Sequence, residues 1–381
     1  MSRLKADLHL HTTFSDGNAT PKEAAEKIRA LEHITKEDVL SSTGLGKIYD
    51  YLKDKGDAEG IGELDALLNE SIETAHNTHT FCKLDHNTLL GTEEFISAVG
   101  KLAPKKRIIV GAELTAQVNL TRIGDYSIHV PVFFYDQKGF DMMKMKKYDR
   151  DVFFDEINFS YSKLLNRLAK ANNYRFGEVL REKCNRYFFG GDEMITSDFL
   201  KRTAMDARKS VMSTKDIMNF KVYEPLLLHT DLALALHKSG IDESPEEIAY
   251  KYFRREGLLY VPFSENKYSM DLEELLSEMD SISRESPVKV KKGIGHPSTY
   301  VRAIAKSICA EEGRGKDEFY STDAEKTANI VVKRIIRAVA NKGLVDFIES
   351  DYPRYIRKLS ADADGREIEE NIQYIKKEEE F

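Results

Sequence analysis

Six short apolar runs in this 381-residue chain each lead into a side chain that can bind a metal ion. Residues 4–8 run into His9, 81–84 into Asp85-His86, 107–110 into Glu113, 126–128 into His129, 288–294 into His296 and 344–348 into Glu349. Helical periodicity fills the intervals, for example over 21–31, 92–102, 270–283 and 324–341. Strand alternating with helix predicts an α/β protein built on a parallel sheet or barrel. In such folds functional groups gather at the carboxyl ends of strands, so the pattern places these groups on one rim.

The sharpest local motif follows the first run: Asp7-Leu8-His9-Leu10-His11-Thr12-Thr13-Phe14-Ser15-Asp16-Gly17. Residues two apart on a strand share a face, so His9 and His11 can reach one ion, with Asp16 close behind on a Ser-Asp-Gly turn. The plain alternative is a pair of ordinary strand-end histidines and an aspartate that caps the helix starting near Pro21. The repetition of the pattern farther along the chain favours metal.

With 57 basic and 64 acidic residues the net charge is −7, which argues for a localised site and against duplex nucleic acid as the main partner. Cys82, Cys184 and Cys309 are widely spaced with no C-x-x-C, so neither a disulfide framework nor a thiolate zinc site is expected. The N-terminus lacks the apolar core of a signal peptide and no run is long and apolar enough to span a bilayer. A soluble, cytoplasmic protein with no membrane partner is the expectation.

Two segments exceed what a minimal barrel needs. Residues 35–80 separate the first two ligand motifs and contain His76-x-x-His79, which reads as a solvated pair rather than a site. Residues 140–261 read as a mostly helical insertion, flanked by a barrel made of 1–139 and 262–381. Part of the insertion carries a small basic surplus that could face an anionic substrate but suits a solvated helical surface as well.

Read together, the motifs resemble those of the PHP (polymerase and histidinol phosphatase) family. The first motif is similar to D-L-H-x-H-T-x-x-S-D-G, Leu84-Asp85-His86-Asn87-Thr88 to T-D-H-D-T, Gly111-Ala112-Glu113-Leu114-Thr115 to G-x-E-x-S/T, and Gly295-His296-Pro297 to A-H-P. His129 and Glu349 fall where later strands of the family carry a histidine and an acidic residue. The last motif, S-D-x-H-G, has its nearest counterpart in Ala361-Asp362-Ala363-Asp364-Gly365, where an aspartate replaces the histidine. A plain Asp-Gly turn is the alternative for that segment.

The resemblance implies a distorted parallel (β/α)7-type barrel holding two or three divalent ions. His9, His11, Glu113 and Asp362 would hold the first; Glu113, bridging, with His129 and His296 the second; Asp16, His86 and Asp364 the third. Imidazole and carboxylate without thiolate suit Mn, Fe or Zn. The activity implied is hydrolysis of phosphate esters through a metal-bridged hydroxide, with His9, His11, Glu113 and His296 as the catalytic set.

Residues 229–240 and 252–262 further resemble the insert of the TrpH-like PHP phosphoesterases, although that subgroup has Arg-Pro-His at the start of this helix and the present chain does not. The substrate implied is a small phosphorylated metabolite, a nucleotide or the end of a short single-stranded nucleic acid. His229 reads as a helix cap or packing residue, and His33 and His237 as surface residues. The competing expectations are a PHP module that has lost turnover and serves as a metal-stabilised binding or regulatory domain, and hydrolysis of a carbon–nitrogen bond.

Overall fold

The computed structural model describes residues 5–15, 17, 19–120, 124–137, 139–209, 226–253, 257–261, 268–312, 322–348 and 373–374. Seven strands join one sheet in chain order: β1 (Lys5–Leu10), β2 (Thr78–Lys83), β3 (Arg107–Leu120), β4 (Gly124–Tyr135), β5 (Lys289–Ile294), β6 (Phe347–Ile348) and β7 (Gln373–Tyr374). Helices α1 (Pro21–Ala30), α2 (Lys36–Ser42), α3 (Leu45–Lys55) and α4 (Ala58–Asn77) precede β2, and α5 (Thr92–Leu102) precedes β3. Between β4 and β5 lie α6 (Lys147–Tyr174), α7 (Arg181–Phe189), α8 (Ser197–Lys209), α9 (His229–Lys238), α10 (Pro245–Ile248) and α11 (Leu272–Glu285). After β5 come α12 (Pro297–Glu311) and α13 (Thr322–Ala340).

The sheet is mixed, which corrects the all-parallel expectation. β1, β2 and β3 run parallel, as do β5, β6 and β7, but β4 is antiparallel to both of its neighbours. The cause is chain length: residues 121–123 alone separate β3 from β4, whereas a parallel crossover needs a dozen or more. β3 and β4 therefore form a long hairpin, with Glu113 and His129 inside it rather than at strand ends.

Sequence-local signals account for the helices around the sheet. In α1, Thr20 and Glu23 satisfy each other's backbone amides, Pro21 opens the first turn, and Ala24, Ala25 and Ile28 form the buried face. The outer core packs such faces against the outward residues of the strands, among them Ile108, Val110, Ala112, Val132 and Phe134.

The sheet curls strongly. Adjacent strands lie about 4.8 Å apart, so four steps across a flat sheet would hold the ends of β1 and β5 roughly 19 Å apart. Instead, Nε2 of His9 on β1 and Nε2 of His296 just beyond β5 lie 3.1 Å apart. The concave side encloses its own small core of Leu8, Cys82, Leu84, Ile109, Phe133 and Phe347. α6 feeds the outer core through Phe153, Phe154, Ile157, Tyr161, Leu164 and Leu168. A second apolar cluster, including Leu180, Cys184, Leu200, Leu232, Leu236 and Tyr252, holds α7 to α10 together. Among the described residues no helix is long and apolar enough to cross a membrane.

The curl demands small residues on the inside. A Cβ on Gly111 would sit 2.7 Å from Cys82 Sγ and 2.8 Å from the Val132 carbonyl oxygen, and one on Gly293 would overlap the Phe347 ring. Gly111→Ala is expected to lower the unfolding free energy by about 1–3 kcal/mol. Urea unfolding checks this, and an unchanged midpoint would mean that the interior has room to spare.

Candidate metal centre

Five elements deliver side chains to the concave mouth of the sheet. On β3 the pleat alternates, so Ile109, Gly111 and Glu113 point inward while Ile108, Val110, Ala112 and Leu114 join the outer core. Glu113 is registered opposite Pro131, which brings His129, two residues earlier on β4, to the same face.

β1 reaches the site by an irregularity. Asp7 pairs with Phe81 and Leu10 with Lys83, three steps against two, so one extra residue is accommodated on β1. Leu8 consequently faces the inner core whereas Leu10 packs against the outer one. His9 and His11 turn towards Glu113.

His86 lies past the end of β2, in a parallel bridge to Glu113. The Glu113 amide donates to the Asp85 carbonyl at 3.1 Å and the Asn87 amide to the Glu113 carbonyl at 2.9 Å. His296 follows β5 and caps α12. Among the described residues the non-glycine positions with positive φ are Asn87 (52°) and His296 (48°), and both adjoin this cluster. Such conformations concentrate at functional sites, where surrounding structure enforces them.

The result is one carboxylate ringed by five imidazoles. Oε1 of Glu113 lies 3.0 Å from His129 Nδ1, 3.4 Å from His9 Nε2 and 3.4 Å from His296 Nε2. Oε2 lies 3.0 Å from His86 Nδ1 and 3.5 Å from His11 Nε2. Glu113 is fully buried, while the five histidine side chains remain 9–29 % exposed and form the accessible rim. Burial pushes the Glu113 carboxyl up, but the charge of His129 and contacts from His129, His296 and His9 outweigh it and hold the group well below the usual carboxylate range.

This donor set fits divalent metal ions. Neither Glu113 oxygen receives a well-aligned hydrogen bond despite its five close nitrogens, an arrangement that leaves lone pairs directed at a common centre. His9, His11 and Glu113 have ligand atoms close enough to hold one ion, and His86, Glu113 and His129 a second. Nitrogen and oxygen donors without sulfur suit Mn, Fe or Zn, and all three cysteines are buried outside the cluster.

Behind the rim, Asp85 fixes the loop that carries His11. Its carboxylate accepts from the Thr12 amide, the Thr12 hydroxyl and the Ser15 hydroxyl, each at 2.6 Å, and pairs with Lys83 Nζ at 2.6 Å. Ser15 Oγ in turn lies 3.2 Å from His11 Nδ1, with Nε2 of that ring facing Glu113. Holding the far nitrogen of a ligating histidine in this way fixes the ring's tautomer and direction. Asn87 braces the opposite side, donating to Thr115 Oγ1 and accepting from the Thr115 amide. The Tyr300 hydroxyl accepts from the His129 amide at 2.7 Å.

Of the residues named from sequence, the structure gathers His9, His11, His86, Glu113, His129 and His296. Sequence grouped His86 with Asp16 and Asp364; in the structure it stands at Glu113 Oε2, beside His11 with ring centroids 4.7 Å apart. Asp16, Glu349, Asp362 and Asp364 lie outside the described residues. Asp85, a possible ligand by position, spends its oxygens on Thr12, Ser15 and Lys83. His76 and His79 are not one helical pair: His76 ends α4 and contacts the Ile34 carbonyl, whereas His79 is on β2. His229 starts α9 near the Phe176 ring, and His237 Nδ1 meets the Ile241 and Glu243 carbonyls. Sequence inspection missed the roles of Asp85, Ser15, Asn87 and Tyr300. Lys83 and Asp85 within an otherwise apolar strand end were the visible clue, because buried charges demand partners.

The sequence matches no family model and no curated relative. Among solved structures, a protein designated a metal-dependent phosphoesterase from Bifidobacterium adolescentis is similar at 16 % identity and a TM-score of 0.47, over 97 % of this chain and 86 % of that one. An amidohydrolase from Chromobacterium violaceum, solved with sulfate and no metal, is similar at 12 % identity and a TM-score of 0.33, over 87 % and 84 % of the two chains. Superpositions this loose say nothing about the chemistry, which the cluster alone has to carry.

Asp85→Asn removes the partner of a lysine that is 1 % exposed. It should destabilise the fold by ~3–5 kcal/mol, the usual cost of stranding a buried charge. Chemical denaturation reads this directly, and a loss below 1 kcal/mol, on the order of a surface pair, would show that the network is dispensable.

Proposed function

We propose that this chain is a metal-dependent hydrolase of phosphate esters. The observation that carries the reading is the buried Glu113 carboxylate with five convergent imidazoles at a partly exposed rim. The motifs that resemble the PHP family supply the preference for phosphate esters over carbon–nitrogen bonds. A small phosphorylated metabolite, a nucleotide or an oligonucleotide end are the substrates this reading admits.

His9 and His11 with Glu113 would hold one ion, and His86 and His129 with Glu113 another; His296, near Oε1 and His9, stands beside the first. Bound there, paired divalent ions supply an acidified water and a positive clamp for a phosphoryl group. The protein's own contribution is placement. Burial keeps the Glu113 carboxylate out of bulk water, the β3–β4 hairpin fixes it relative to His129, and Asp85 through Ser15 fixes the His11 ring. The exposed imidazole edges leave the mouth open to substrate.

Stripping the protein and restoring Mn, Fe or Zn separately, with 4-nitrophenyl phosphate and a nucleotide as substrates, tests the reading. Turnover should return with metal and fall by at least about a hundredfold in Glu113→Gln and His9→Ala, with metal content falling in parallel. Stoichiometric metal with no turnover on any phosphate ester would favour a binding module instead.

Metal affinity should also be lower in acid, because an imidazole that has taken up a proton has no lone pair left for the ion. Glu113 is not the source of that decline. Its folded-state ionisation is depressed, so its stabilising contribution is present above the ordinary carboxylate value and is lost only as pH falls through the lower, folded one. Metal titrations at pH 5.5 and 7.5 check this, and equal affinity at the two would exclude histidine ligation.

A further inference from the structure

α6 carries apolar side chains on two opposite faces. Phe153, Phe154, Ile157, Tyr161, Leu164 and Leu168 bury one of them against the outer core. On the other, Tyr148, Val152 and Phe159 are 76 %, 41 % and 88 % exposed. At 3.6 residues per turn these three fall, with the exposed Asp155, Lys163, Asn166 and Lys170, within an arc of about 80°. Single apolar residues on a surface need no explanation, whereas several along one helix face, interleaved with charges, have the make-up of a contact surface. The charges on this stripe change sign at Phe159: Asp155 precedes it by four residues and Lys163 follows it by four. Neither makes an ion pair within its own chain among the described residues.

That order of charge is complementary to itself. With the α6 of a second copy laid antiparallel to the first and a two-fold axis passing beside Phe159, Asp155 of each copy comes level with Lys163 of the other. The two Phe159 rings meet between these pairs. Val152 then falls opposite Asn166, and Tyr148 opposite Lys170, a cation that already lies over the Tyr268 ring at 4.4 Å. A parallel arrangement would instead set Asp155 against Asp155 and Lys163 against Lys163. A two-fold interface requires that residue i meet j and j meet i, and the stripe satisfies this without any like-charge contact. We propose that a second copy of this chain covers the outer face of α6, forming a two-fold dimer through antiparallel helices centred on Phe159. The strip from Tyr148 to Lys170 is about 33 Å long and one helix wide, short of the ~800 Å² per partner typical of tight complexes, so the dimer is reversible on dilution.

Sedimentation velocity of the full-length chain between about 1 and 100 μM should show monomer passing into dimer. Phe159→Ser, which leaves the buried face of α6 intact, should weaken association at least about a hundredfold. Asp155→Lys or Lys163→Asp alone should weaken it about tenfold, because each sets like charges opposite one another. Both changes in one chain, or the two single variants mixed, should restore it. Phe159→Cys should cross-link into a covalent dimer under copper–phenanthroline oxidation, since its two copies meet at the axis and the native cysteines are all buried. Ile330→Cys, exposed on α13, should not. A monomer at every concentration, or a dimer that Phe159→Ser leaves unchanged, overturns the proposal and assigns the stripe another occupant or none. A dimer that the paired charge reversal fails to restore overturns the antiparallel register and the proposal with it.

Discussion

A glutamate with no exposed surface has been kept ionised at the mouth of a curled sheet, and much of the surrounding architecture answers to that fact. An isolated buried carboxylate would cost several kcal/mol. Here the cost is met by imidazoles supplied from β1, β4 and the segments that follow β1, β2 and β5. Their convergence is possible only because the sheet bends enough to bring its first and fifth strands within hydrogen-bonding distance. Gly111 and Gly293 allow the bend, and the Phe133 and Phe347 rings, 5.4 Å apart, fill the space beneath.

The second layer of the design is a buried ion pair whose acid has no free oxygen to offer a metal. Asp85 converts the Lys83 charge into order in the Thr12–Ser15 loop, and through Ser15 into the direction of one imidazole. Buried ion pairs are poor sources of net stability, so retaining one here makes sense mainly as a means of holding geometry. Asn87 and Tyr300 do comparable work for β3 and β4 with uncharged groups.

The sequence made the histidines and Glu113 legible because each follows or lies within an apolar run, and runs of that kind read clearly as strands. It also made the main helices legible: the 92–102 pattern coincides with α5, and 324–341 differs from α13 by two residues at one end and one at the other. The direction of β4 was hidden because its apolar run looks the same in either orientation; the shortness of the 121–123 connection held the answer. The β1 irregularity was hidden because a strict two-residue period already puts His9 and His11 together without saying which face they take. Asp85 was misleading for a different reason: a carboxylate beside a histidine looks like a ligand until its partners, some 70 residues away, are in place.

The contact between His9 and His296 spans 287 positions of the chain. During synthesis the first strand leaves the ribosome long before the residue that completes its imidazole ring of neighbours exists. Contacts between such remote segments are slow to form because loop closure precedes any reward. Until His296 has been made, the carboxylate of Glu113 lacks one of its five imidazole neighbours, so closure of the cluster depends on a contact between remote segments of the chain.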